Sequence, residues 1–91
     1  MKTTVSRSRL FEKQLEKVPE FIQKKVKFWV FMVETVGIRE VAKSPGLHDE
    51  PLVGSRKNQR SIRLNRSYRL IYRALDNHIH IELLEVHKHD Y

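Results

Sequence analysis

The 91 residues, 40% of them hydrophobic, suffice for one modest core and not for two, so a single domain over residues 1–91 is expected. With no cysteine, the chain has neither a disulfide framework nor a thiolate metal site, and it suits a reducing compartment. Eighteen Lys and Arg against eleven Asp and Glu give a net charge of +7, which favours a polyanion such as nucleic acid as partner.

The N-terminus carries no apolar stretch after Lys2, so it does not read as a secretion signal. The longest apolar run, Phe28 to Val33, falls far short of the roughly 20 residues a membrane span needs. A cytoplasmic protein with no membrane partner is expected. Thr4 and Val5 suggest a short strand over Thr3 to Ser6. Ser8 then stands where an N-cap belongs, and Phe11, Leu15 and Val18 follow at helical spacing, predicting an amphipathic helix that ends before Pro19. A second helix is predicted to start at that proline. Ile22, Val26, Trp29, Val33 and Val36 form its apolar face, Trp29 and Phe31 are read as core, and Gly37 stops it. Ile38 to Lys43 has room for a further helical turn before Ser44, Pro45 and Gly46 break it, and a loop runs to about Gly54.

From there the period changes to that of strands. Gln59 to Leu64, Tyr68 to Leu75 and His78 to Leu83 alternate, with Asp76 and Asn77 expected to form a two-residue turn. The fold class is therefore α+β: an N-terminal strand and two helices packed on one face of a small, mainly antiparallel sheet. A hairpin loop at Asn65, Arg66 and Ser67 pairs Ile62 with Leu70 and sets Arg63 opposite Arg69. The tight second turn pairs Ala74 with Ile79, Tyr72 with Ile81 and Leu70 with Leu83. Arg63, Arg69, Arg73, His80 and Glu82 then share the face away from the helices. Leu83 and Leu84 break the alternation, and a bulge there would bury Val86 and turn Glu85, His87 and His89 toward the arginines, with Lys88 pointing away.

These residues resemble a known family. The segment SIRLNRSYRLIY, Ser61 to Tyr72, is similar to the central hairpin of RelE/ParE superfamily toxins. EPLVG, Glu50 to Gly54, resembles a motif of the YoeB-like branch, and VHKHDY, Val86 to Tyr91, looks like the family's C-terminal strand and tail. The order of strand, two helices and sheet meander is also the family's, so the resemblance covers nearly the whole chain. It implies a toxin of a type II toxin–antitoxin system, silenced by a cognate antitoxin and cutting messenger RNA on the ribosome. It implies no metal and no cofactor: the 2′-hydroxyl attacks the adjacent phosphate, leaving a 2′,3′-cyclic phosphate and a free 5′-hydroxyl.

The resemblance also assigns residues. Arg69 matches the arginine of the second hairpin strand, Arg63 a basic position in the first, and Glu50 the catalytic glutamate. A gapless register from Arg69 puts the catalytic histidine at His87. Matching the V-x-K-H of this tail to the V-G-K-R of RelE-like members puts it at His89, which is preferred because Tyr91 can then serve as the tyrosine that follows. A base, an acid and positive charge are what the reaction requires. Glu50 or a neutral histidine can take the 2′-proton, His89 or His87 can protonate the leaving oxygen, and Arg69 can stabilise the phosphorane. Lys88, Arg73, Arg60, Arg66 and Lys57 are further candidates to contact RNA. His48, Asp49 and Glu50 are too few and too adjacent to make a metal cage. Two other activities fit the same fold: inhibition of DNA gyrase in the manner of ParE-like toxins, and RNA binding without cleavage.

Overall fold

The computed structural model describes residues 3–88. Strand β1 (Thr4–Arg7) leads directly into helix α1 (Arg9–Lys17). Ser8 caps that helix, its Oγ accepting the Phe11 N–H at 2.9 Å and donating to the Leu84 carbonyl at 2.9 Å. α1 stops where Val18, preceding proline, turns extended. Gln23 then supplies its side-chain amide to the Leu15 and Val18 carbonyls, at 3.0 and 3.1 Å, so the open end of α1 is satisfied from the next helix.

Helix α2 (Glu20–Val36) begins one residue later than expected, with Pro19 as its N-cap. Ile22, Val26, Trp29 and Val33 form its buried face, whereas Phe28 and Phe31 lie 66% and 59% exposed and Val36 is exposed too. Val36 and Phe31 are therefore not core, because the face that meets the sheet is narrower than the apolar pattern of the helix. Gly37 ends α2 at φ 88°, a conformation that favours glycine, and donates to the Val33 carbonyl at 2.9 Å. Helix α3 (Ile38–Val41) follows and buries its two end residues.

The sheet has five strands in the order β1-β5-β4-β3-β2, with β2 (Glu50–Pro51), β3 (Arg60–Arg63), β4 (Tyr68–Leu75) and β5 (His80–Lys88). β1 pairs in parallel with β5, and every other pair is antiparallel. Ile62, Leu70, Tyr72, Ile81, Leu83 and Val86 pack against Phe11 and the buried face of α2 in one core, with the Trp29 and Tyr72 rings 5.2 Å apart. The helices thus cover one face, and the α+β architecture is the expected one.

The first hairpin has the anticipated register, Ile62 opposite Leu70 and Arg63 opposite Arg69. Asn65 holds its loop by accepting the N–H groups of Ser67 and Tyr68, each at 2.8 Å. The second hairpin differs from expectation. Its loop is four residues, Asp76 to Ile79, of which Asp76, Asn77 and His78 all adopt positive φ. The pairs next to the loop are consequently displaced by two, Ala74 meeting Ile81 and Tyr72 meeting Leu83, and beyond the bulge Leu70 is displaced by three and meets Val86. A two-residue slip preserves which face each side chain occupies, which is why alternation alone did not reveal it. The bulge is present: Tyr72 pairs with Leu83 and Ile71 with Glu85, leaving Leu84 as the extra residue. No helix among the described residues is long and apolar enough to cross a membrane.

Candidate active site on the open face of the sheet

Arg63, Arg69 and His87 form one cross-strand row on the face away from the helices, Arg69 pairing with Arg63 on one side and His87 on the other. Directly opposed side chains in a sheet lie within reach of each other, so three groups able to carry positive charge are crowded together. The adjacent row supplies the balancing carboxylates. β2, not foreseen as a strand, pairs Glu50 with Ser61, Ser61 pairs with Ile71, and Ile71 with Glu85. Glu50 Oε1 lies 3.9 Å from Arg69 Nη1. The Arg69 side chain is only 13% exposed, so its guanidinium is held in place, whereas Glu50 at 62% is open to solvent.

His87 has an acceptor at each ring nitrogen: Nε2 lies 3.1 Å from Glu85 Oε1 and Nδ1 3.2 Å from the Lys88 carbonyl oxygen. Carboxylate and carbonyl oxygens only accept, so each contact uses an N–H of the ring, and which nitrogen donates is set by the tautomer. Glu85 is in turn paired with Arg56, from the 3-10 turn at Gly54–Arg56. Sequence reasoning gave Glu85 a place on this face but no role, and it passed over Arg56. No local pattern marks Arg56, because its partner lies 29 residues away.

The other candidates divide. Arg73 shares the open face but is engaged by Glu82, with Nε 3.1 Å from Oε1. Arg66 in the hairpin loop and Lys57 beyond the turn are exposed, and Lys88, paired with half-buried Tyr68, stands in a row of the opposite face. Arg60 also leaves the site: it pairs with Tyr72 on the helix side and donates from Nε to Asp49 Oδ1 at 2.5 Å, while the Tyr72 hydroxyl donates to Oδ2 at 2.5 Å. The Asp49 side chain is 1% exposed, so a buried carboxylate joins the buried Tyr72 hydroxyl to the partly exposed Arg60, whose side chain is 39% exposed. Burial works against the Arg60 charge, yet its hydrogen bond and attraction to Asp49 raise its pKa overall. Burial first, then Asp49, pushes the Tyr72 phenol up. Further along the open face, His80 is held by the hydroxyls of Thr4 and Ser6 at 2.6 and 2.9 Å. His89 and Tyr91 lie outside the described residues. Among those described, no three His, Asp or Glu residues group as metal ligands would.

A carboxylate, a fixed guanidinium and an imidazole on one open surface can take a proton, bind a phosphate and return a proton. No protein-family model and no curated protein matches the chain. Solved structures do. The RelBE2 toxin–antitoxin complex of Mycobacterium tuberculosis matches at a TM-score of 0.72 and 24% identity, covering 98% of this chain and 100% of that one. The DinJ–YafQ toxin–antitoxin complex of Escherichia coli matches at 0.78 and 18%, covering 98% and 94%. The YoeB dimer of Staphylococcus aureus matches at 0.71 and 19%, with both chains covered completely. The chain has the fold of the RelE/ParE superfamily toxins. Within it, the matched structures include toxins of the RelE, YafQ and YoeB types.

Proposed function

We propose that the protein is the toxin of a type II toxin–antitoxin pair and a metal-independent endoribonuclease that cuts messenger RNA on the ribosome. The observation that carries this reading is the sheet register, which brings Glu50, Arg69 and His87 together from three strands. Glu50 takes the 2′-proton as the 2′-oxygen bonds to phosphorus. The bond to the 5′-oxygen breaks, and His87 delivers a proton to it, so a 2′,3′-cyclic phosphate and a 5′-hydroxyl result. Arg69, with Arg63 beside it, neutralises the crowded phosphorane. His87 takes the acid role here in preference to His89, because it is the histidine directly opposite Arg69. The exposed Arg66 and Lys57 help hold the strand, and Tyr91 stays a candidate to stack on a base. So small a surface offers little area for base readout, which supports dependence on the ribosome to present the message.

A cognate antitoxin is the partner, a reading supported by matched structures that are themselves toxin–antitoxin complexes. A groove of about 810 Å³ beside α2, lined by Phe28, Trp29, Met32, Val36, Val41 and Leu47 with Lys24, Lys25 and Arg63, suits an amphipathic acidic segment. Arg63 borders both this groove and the open face, so one bound segment can reach the catalytic row.

Purified protein added to ribosomes translating a defined message tests the activity. Cleavage leaving cyclic phosphate ends is expected, with His87→Ala slower by roughly 10²- to 10⁴-fold. Full activity of His87→Ala together with loss in His89→Ala would move the acid to the tail. An intact message with arrested growth would favour gyrase inhibition.

A further inference from the structure

We infer that Glu85 is a positioning residue for the imidazole of His87, and that Arg56 holds Glu85 to that task. The inference rests on the nuclease reading above and deepens it. His87 is the second-last residue of β5, and its side chain is 38% exposed, so the strand backbone alone leaves its ring free to change rotamer. Glu85, on the same face by strand alternation, is 20% exposed and divides its two oxygens. Oε1 faces His87 Nε2 at 3.1 Å, and Oε2 is taken by Arg56. Arg56 is fixed in turn, its Nε donating to Gln59 Oε1 at 3.2 Å.

The arrangement does two things. With Nε2 committed to Glu85, the ring is oriented and Nδ1, whose neighbour is an exposed backbone carbonyl, is the nitrogen that delivers the proton. Glu85 also neighbours the row of Arg69. Pairing with Arg56 keeps its carboxylate from closing on the Arg69 guanidinium, whose carboxylate contact among the described residues is the 3.9 Å one to Glu50.

A double-mutant cycle tests this. Single-turnover cleavage on programmed ribosomes is measured for the wild type, Glu85→Ala, His87→Ala and the double variant. Glu85→Ala is expected to lower kcat by about 10- to 100-fold with little change in KM. In the His87→Ala background it should cost nothing more, because its effect passes through the ring. Glu85→Gln, which keeps an oxygen for His87, should recover part of the loss, and Arg56→Ala should reproduce part of it. Equal losses in both backgrounds, as a folding defect would give, or wild-type activity in Glu85→Ala, would overturn the inference. If the wild type cleaves nothing, the nuclease reading fails instead. The imidazole N–H signal of His87 then decides separately: slow solvent exchange that Glu85→Ala abolishes supports the contact, and no difference between the two overturns it.

Discussion

Arg60 and Arg69 leave the sheet on opposite sides, and their partners give them different work. Arg60 neutralises Asp49, a carboxylate buried almost completely beneath it, whereas Arg69 is held firmly but paired only loosely. Arg60→Ala leaves that buried carboxylate with the Tyr72 hydroxyl and is expected to destabilise the fold by about 1–3 kcal/mol, Arg60 being partly screened by solvent, read by urea denaturation. Arg69→Ala is expected to cost no more than about 2 kcal/mol of stability, so that the variant stays folded, and to abolish cleavage. The Tyr72 phenol, pushed up by burial and by Asp49, adds stability of its own. Because folding raises its pKa, that stability is complete below the unfolded value of about 10 and is lost as pH climbs toward the folded value. Tyr72→Phe should therefore lose stability less steeply than wild type above about pH 10, and equal slopes would contradict the assignment. The sequence pointed to Arg69 through a motif, and strand alternation puts Arg60 on the face of Ile62, but the buried partner of Arg60 was hidden because Asp49 lies in a loop.

At the scale of elements, periodicity and capping residues made most of the fold legible. Ser8, the Val18–Pro19 step and Gly37 mark the ends of helices because each acts locally, through a cap, a steric clash or a positive φ. The doubled leucine at Leu83 and Leu84 announced the bulge for the same reason. Features decided by distant partners stayed hidden. Strand β2 is two residues long and exists only through its pairing with β3, yet it is what carries Glu50 to Arg69. The four-residue loop from Asp76 to Ile79 was concealed because a shift of two residues leaves the alternation intact. Ser8 joins the two levels, since its hydroxyl both caps α1 and bonds the carbonyl of the bulge residue that precedes Glu85. Ser8→Ala is expected to cost about 1–2 kcal/mol, measured as a fall in the urea midpoint at unchanged slope.

Over the whole molecule, one surface carries charge and another carries exposed hydrophobic area. If the proposed function holds, RNA affinity is expected to fall steeply with salt, and Arg63→Ala should reduce the slope of that dependence by about one counterion. The groove beside α2 predicts a different response, with Phe28→Asp weakening the antitoxin complex by about 2 kcal/mol or more in a titration. The resemblance named the family's activity, while the groove was hidden because its lining joins α2 residues such as Phe28 and Met32 to Val41, Leu47 and Arg63, which are distant in the chain.

The central claim is that the row built on Arg69 cuts messages under translation. Mapping 5′ ends on a translated message shortly after induction, in cells carrying wild type or Arg69→Ala, tests it most directly. New ends within ribosome-occupied codons, present with wild type and absent with Arg69→Ala, are predicted. An intact message in growth-arrested cells, or the same ends with both proteins, would contradict it.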